Sequence, residues 1–250
     1  MFSNYPLTVL LVLLVCMSSA YLKQIPSYIT LCKRDQSTID KCAREAVEAL
    51  RPKLIAGIPE LNVPSIEPFY IPEIKTTEGE LANLRASAKD VKVSGGGDFT
   101  IKSLNVDLDT FTIRARVRFP KLHLEGLYKL NTRILVVPLK GQGNMVADAV
   151  KCDAELVLYS EVEQRDGKEY IRFKKLDTDI NIKDYRIRLD GLFNGDKALG
   201  DATNEAINQN RGEFLKATKP HLERTVSRIL LDAANKIVDG VALDDLLLKP

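Results

Sequence analysis

Tryptophan is absent from this chain of 250 residues, methionine occurs three times, and histidine only twice, at His123 and His221. With no Trp and eight each of Phe and Tyr, there is little from which to build an aromatic cage for a quaternary amine or a platform for stacked bases. Two histidines far apart in sequence argue against a zinc site or a His-based triad. No G-x-S-x-G elbow exposes a nucleophilic serine. Gly141-Gln142-Gly143 lacks the third glycine and the strand-to-helix setting of a dinucleotide loop, and reads as a hairpin turn. An excess of one charge is also missing: Lys and Arg total 36, Asp and Glu 34, for a net +2. No basic run marks a nucleic-acid footprint.

What is present is aliphatic. At 45% hydrophobic and 28% charged, the composition is that of one globular domain of generous size. The first twenty residues carry no charged side chain, are apolar from Leu7 to Met17, and place Ser18 and Ala20 as in a cleavage site. They read as a secretory signal over residues 1–20, with a single domain at 21–250. No later stretch is long or apolar enough to span a bilayer, and no N-x-[ST] sequon follows the signal. Removal of Cys16 leaves Cys32, Cys42 and Cys152 in an oxidising compartment. Cys32 and Cys42 close a short loop and are expected to be bridged; Cys152, in an alternating run, is expected to be a small buried hydrophobe.

From Ser37 the residues Ile39, Ala43, Ala46, Val47 and Leu50 form one apolar stripe of a helix, with Ser37 and Asp40 as a capping box. Pro52, Pro59, Pro64, Pro68 and Pro72 then punctuate an extended strap over one end of the body. From about Ala86 to Leu192 the period changes to two: Val91, Val93; Leu104, Val106, Leu108; Ile113, Ala115, Val117, Phe119; Leu122, Leu124; Ile171, Phe173; Ile180, Ile182; Ile187, Leu189. This predicts an antiparallel meander with one apolar face. Turns are expected at Gly95-Gly96-Gly97, Asp109-Thr110, Asn131, Gly141-Gln142-Gly143 and Asp166-Gly167. Asp107, Asp109, Asp177 and Asp179, with Arg114, Arg116 and Arg118, fall in the polar phase and read as a solvated outer face. Asp201 to about Gly240 is again helical, ~60 Å if unbroken, with a kink expected just upstream of Pro220. A long C-terminal helix laid along a curved antiparallel sheet, an α+β fold, buries both apolar faces.

Four stretches in order resemble the insect takeout and juvenile hormone binding protein family: Cys32 and Cys42 before a short helix; ALRPKLIAGIPEL with VPSIEPFYIPEI; FPKLHLEGLYKLNTRILVVPLKGQGNM; and LFNGDKALGDATNEAINQNRGEFLKATKP with VALDDLL. The resemblance implies a tubular lipid-binding fold in which the sheet wraps the long helix around an elongated hydrophobic cavity, secretion into haemolymph or sensory fluid, and circadian or feeding-related roles. The hormone-carrier branch has a second disulfide in the sheet, for which Cys152 alone cannot suffice. That favours the takeout branch.

The expected function is a secreted carrier of one hydrophobic small molecule: a juvenile-hormone-like terpenoid, a fatty acid or a semiochemical. No cofactor, metal, nucleic acid or stable membrane insertion is expected, and the chain should be a monomer; docking on a receptor or membrane stays open. The candidate ligand-binding residues are Leu54, Phe69, Val91, Val93, Leu104, Val106, Ile113, Val117, Tyr128, Leu135, Val137 and Phe214. Tyr70, Tyr128 and Tyr159 are candidates to meet a polar group of the ligand. Two alternatives remain, a signalling or interaction protein with a packed interior, and an esterase or lyase.

Overall fold

The computed structural model of the chain describes residues 25–75, 84–134 and 137–249. The proposed signal at 1–20 and Leu135 lie outside these. A short strand β1 (Cys32–Lys33) leads into helix α1 (Ile39–Ala56). Strands β2 (Phe69–Lys75), β3 (Leu84–Ser94), β4 (Thr100–Asp107), β5 (Thr112–Ile134), β6 (Val137–Arg165) and β7 (Lys168–Leu189) follow. Helices α2 (Lys197–Gln209), α3 (Arg211–Val238) and α4 (Leu243–Leu246) and the two-residue strand β8 (Leu247–Leu248) complete the chain.

Strands β2 to β7 form one antiparallel sheet, but not a simple meander. Its path is β2-β3-β5-β6-β7, and β4 pairs only with β5. Strand β5 is 23 residues long, enough to hold two partners end to end: β3 lies against His123–Thr132 and β4 against Thr112–Arg118. The triple glycine separates these two collinear strands where a hairpin back to β3 was expected. The Glu67 carboxylate accepts the Gly95 N–H at 2.9 Å and the Gly97 N–H at 3.1 Å. A Cβ on Gly95 would sit 2.3 Å from the Lys121 carbonyl oxygen.

The sheet is creased along one line. On β5 the inward phase runs through Ile113, Ala115, Val117 and Phe119, then resumes at Leu122 after two consecutive exposed residues, Pro120 and Lys121. Exposed pairs interrupt β6 at Val150-Lys151 and β7 at Lys183-Asp184, and the register places all three side by side, Lys121 against Val150 against Asp184. Two outward residues in succession reverse the pleat. Repeated across three strands, the reversal folds the long sheet into two halves facing inward.

Helix α3, ~42 Å long at 1.5 Å per residue, lies in the trough and packs against both β7 and β2. The C-terminal helical stretch is two helices, as a break would give, but the break is at Asn210 and not just upstream of Pro220, where the sequence put it. Pro220 is exposed inside α3, as Pro52 is inside α1, so each proline sits on the solvent side of its helix. At Asn210 the backbone leaves helical geometry (φ −105°, ψ 29°), and its backbone N–H and side-chain Nδ2 both donate to the Ala206 carbonyl oxygen, at 3.0 and 2.8 Å. The strap is likewise more structured than expected: residues to Ala56 are helical, Pro59–Leu61 form a 3-10 turn, and Phe69–Lys75 are β2.

Two expected turns are strand instead. Asn131 pairs with Lys140, and Gly141 and Gly143 pair with Leu130 and Tyr128 inside the β5–β6 ladder. Glycine is required there because the chain leaving β7 crosses close by: a Cβ on Gly143 would lie 2.3 Å from the Asp190 carbonyl oxygen, and one on Gly141 2.8 Å from the Leu192 Cα. The Asp166-Gly167 turn is where the sequence put it, with both residues at positive φ. The Asp109-Thr110 turn is wider than two residues, since Asp107 pairs with Thr112, and Asp107 accepts from the amides of Asp109 and Thr110.

Every open sheet edge must be covered or blunted. Along β4, α1 and the residue stretch before it supply the cover: Asp40 accepts from the Val106 N–H at 2.7 Å, Gln36 accepts from Leu108 N–H and donates to the Val106 carbonyl, and Arg44 donates to the Ile101 carbonyl. Asp40 is thus spent on β4 and not on a capping box; Asp35 instead accepts from Ser37 and Thr38 ahead of the helix. Along β7 the cover is a set of amides. Asn204 pairs with both backbone groups of Leu189, Asn208 with both of Ile187 and Asn235 with both of Phe173, and Glu223 accepts from Ile180 N–H. The disulfide joins Cys32 to Cys42, and β1 pairs in parallel with β8, holding the C-terminal segment against the N-terminal one.

Candidate functional site

The candidate site is the concave apolar face. Its core is four separate clusters strung along the body. Val91 and Val93 join Ile71, with Phe69 beside them, beneath Leu222, Val226 and Ile229 of α3. Val106, with Leu104 and Ile113 half-buried next to it, packs on Cys32 and Ile39. Leu54 lies in a third cluster under the strap, against Ile58, Leu61 and Val63. Tyr128 and Phe214 belong to a fourth, with Leu130, Ile187, Leu189 and Ile207. Val117 is half-buried and in none of the four. Leu135 lies outside the described residues, and of Val137 only the backbone at the start of β6 is described. The structure thus distributes the residues singled out from the sequence over separate clusters: the described strand residues lie in the inward phase of the sheet, Leu54 packs with the strap, and Phe214 packs from the helix.

Between the clusters, the inward phase of the half-sheet beyond the crease stays partly accessible. Ile113, Ala115, Val117 and Phe119 on β5, Ala154, Leu156 and Leu158 on β6, and Ile180 and Ile182 on β7 are all half-buried. Register brings Leu156 beside Ala115 and Thr178, and Ala154 beside Val117 and Ile180. On the opposite face Arg116 pairs with Glu155, Arg118 with Asp153 (2.7 Å), and Lys175 with Asp177 (2.8 Å). The charged outer face is as the alternation predicted, though the arginines take their partners from β6. Sequence reasoning did not select Phe119, Leu156, Leu158, Ile180 or Ile182 for the site; the period-two pattern that carries several of them was the available signal.

The three tyrosines part ways. Tyr70 and Tyr159 are exposed on the outside, Tyr70 donating to Asp90 at 2.6 Å and Tyr159 lying under Lys175. Tyr128 is buried and donates to the Asp190 carbonyl at 2.7 Å; burial, with the Asp190 charge adding to it, pushes its pKa up to about 12. Tyr185, which the sequence did not single out, is half-buried, donates to the Arg211 carbonyl at 2.6 Å, and is pushed by burial to about 12. Both phenols have committed their proton to a backbone carbonyl, so toward a ligand each offers only a lone pair.

Groups for covalent chemistry are not brought together. His123 is on the outer face, its ring held between Asp148 (3.1 Å) and Glu125 (3.2 Å), and the two carboxylates raise its pKa. His221 is buried in α3, with Nδ1 2.7 Å from Arg224 Nη2. Cys152 is a buried free thiol, pushed up to about 11 by burial and then by Asp153. Among the described residues no group of three or more His, Cys, Asp or Glu side chains could hold a metal ion, and no helix is long and apolar enough to cross a membrane.

The profile of the family described as haemolymph juvenile hormone binding protein matches residues 9–248. A protein of Schistocerca gregaria named a putative beta-carotene-binding protein is 22% identical over 207 residues, 81% of each chain. The circadian clock-controlled protein daywake of Drosophila melanogaster is 21% identical over 230 residues, 88% of this chain and 87% of that one. The crystal structure of Takeout 1 from Epiphyas postvittana superimposes with a TM-score of 0.74 at 23% identity, covering 87% of this chain and 99% of its own. It shares the fold described above.

Proposed function

Because the chain belongs to the haemolymph juvenile hormone binding protein family, we propose that it carries one hydrophobic small molecule on the concave face of its sheet, beneath α3. The observation that carries this reading is the run of half-buried aliphatic side chains around Val117, Leu156 and Ile180, which occupy the strand phase opposite the charged residues. The ligand is a terpenoid, fatty acid or comparable long apolar molecule, and the carotene named for the locust relative belongs to that class. Secretion follows from the uncharged leader at residues 1–20. In this reading the protein acts by binding and not by turnover: among the described residues His123 is held between two carboxylates and His221 lies against Arg224.

The energetics suit a reversible carrier. Burying ~400 Å² of apolar ligand surface gains about 10 kcal/mol at ~25 cal/mol per Å², and association costs of at least ~4 kcal/mol leave about 6 kcal/mol at most, a Kd of tens of micromolar, with tighter binding for a ligand that buries more area. The test is saturable uptake of a panel of fluorescent and unlabelled terpenoids, fatty acids and carotenoids by the secreted protein, repeated with Val117→Arg, which puts an unpaired charge among the aliphatics. Uptake by the wild type at one molecule per chain, lost in a folded Val117→Arg, is the expected result. A wild type that binds none of the panel refutes the carrier, leaving an interaction protein with a filled interior. A folded Val117→Arg that binds normally moves the ligand off this stretch.

A further inference from the structure

Helix α3 carries three hydroxyl side chains, Thr218, Thr225 and Ser227, and they are used in two ways. Thr218 donates to the Phe214 carbonyl and Thr225 to the His221 carbonyl, both at 2.9 Å, so each closes on the preceding turn of its own helix. Ser227 instead donates across to Thr178 Oγ1 on β7 at 2.7 Å. Thr178 lies in the inward phase of β7, between Leu176 and Ile180, and register sets it beside Leu156 of β6. Thr178 and Ser227 are both half-buried, so the pair stands among the aliphatic side chains where the carrier reading puts the ligand. The neighbouring bonds between α3 and β7 differ in kind. Glu223 and Asn235 serve backbone groups of Ile180 and Phe173, whereas the bond between Ser227 and Thr178 satisfies no main-chain atom and can be replaced by apolar packing without stranding one.

Two hydroxyls hold two protons, and the bond between them commits one. Whichever group donates, an O–H is left over, and neither side chain has a further partner among the described residues. From this we infer that Thr178 and Ser227 form the polar anchor of the trough, donating to one uncharged acceptor oxygen of the ligand, an ester, ketone or aldehyde carbonyl. The anchor fixes how far along the trough the apolar chain of the ligand lies. The inference rests on the carrier reading above and narrows its ligand class. Tyr128 and Tyr185 do not compete for the role, because each has given its proton to a backbone carbonyl. A donor in apolar surroundings discriminates, since a ligand without an acceptor leaves it unpaired. Charge sets the other limit. An ionised carboxylate brought here would be desolvated against one neutral donor. Glu223, one turn earlier on α3, already holds a carboxylate against the Ile180 amide at 2.7 Å, and the cation beside it, Lys219, is shared with Asp179.

The test compares three eighteen-carbon chains with different heads, methyl oleate, ionised oleate at mildly alkaline pH and the hydrocarbon octadecene, by displacement of phenylnaphthylamine from the secreted protein. Wild type is expected to hold methyl oleate about five- to tenfold tighter than octadecene, and tighter than oleate. Thr178→Val with Ser227→Ala removes both hydroxyls together and should keep the wild-type urea midpoint. The double variant should lose the ester preference, binding methyl oleate about five- to tenfold more weakly and octadecene as before. Thr178→Ser, which returns a hydroxyl to the pair, should retain the preference. A wild type that is indifferent to the head or prefers oleate overturns the inference, as does a Thr178→Ser that behaves like the double variant. So does a double variant that keeps the ester preference, loses ester and hydrocarbon equally, or unfolds at much lower urea, the last two marking a merely structural pair. Those results leave carriage itself intact, whereas a wild type from which none of the three displaces the dye removes the carrier and its anchor together.

Discussion

Asn204→Ala is the sharpest probe of how the helices hold the sheet. Asn204 is 8% exposed and Leu189 3%. The Asn204 Oδ1 accepts from the Leu189 N–H at 2.8 Å, and its Nδ2 donates to the Leu189 carbonyl at 2.9 Å and to that of Gly200 at 3.1 Å. Alanine deletes both partners of a buried edge-strand residue. Each orphaned buried group costs about 1–3 kcal/mol, so a loss of about 2–5 kcal/mol is expected, against a total stability of about 5–15 kcal/mol for a domain. Urea unfolding reads it as a midpoint lowered by about 1–2 M at unchanged slope, and amide exchange should rise first at Leu189 and Ile187. Asn204→Asp keeps the acceptor, loses the donor, and sets a carboxylate against a carbonyl, so it should be no better than alanine. If Asn204→Ala changes stability by less than about 0.5 kcal/mol, the edge bonds exchange freely with water and do not hold α2 to β7.

Cys152, buried and with its pKa near 11, should resist a thiol reagent in the folded protein at mildly alkaline pH and react at once in urea; fast labelling without denaturant would contradict its placement. His123 titrates above its ordinary 6.5 because Asp148 and then Glu125 favour the charged ring. Its small stabilising contribution is therefore complete below about pH 6.5 and lost as pH rises through the folded value. Wild type should exceed His123→Gln in melting temperature under mildly acidic conditions, with the gap closing toward alkaline pH; a gap that widens instead would reverse the assignment. Gly143→Ala should destabilise by about 1–3 kcal/mol, because the new methyl meets the Asp190 backbone. Gly212→Ala, with nothing within 4 Å, should be neutral or slightly stabilising, and equal effects of the two in chemical denaturation would rule out the close crossing after β7.

Much of the site's framework was legible in residue order, and the crease was legible too. The inward residues Phe119 and Leu122 are three apart, and Ile182 and Ile187 five, where strict alternation demands an even spacing. Each odd interval marks a reversed pleat. What strand-by-strand reading cannot supply is that the reversals align, because alignment depends on the register between strands. Gly141 and Gly143 looked like a turn for a related reason. Their need for hydrogen at Cα comes from Asp190, Gly191 and Leu192, some fifty residues later: a Cβ on Gly143 would lie 2.3 Å from the Asp190 carbonyl oxygen. Pro52 and Pro220 were read as breakers because a proline costs a helix one bond; that cost is small when the stranded carbonyl faces water, and which way it faces is settled by packing.

The order of residues by itself determined the covalent bridge near the start, the two-faced strands with their charged outer side, the helical character of the last third and the family. Those follow from spacing along one chain, since side-chain direction within a strand or helix is set by local geometry. Tertiary structure decided how β3 and β4 share β5, where the C-terminal helix breaks, and which residues guard each edge. Asn204, Asn208 and Asn235 are unremarkable polar residues on helices until β7 lies beside them. Whether an amide side chain is solvated or completes a strand depends on what backbone reaches it, and only the folded chain supplies that neighbour.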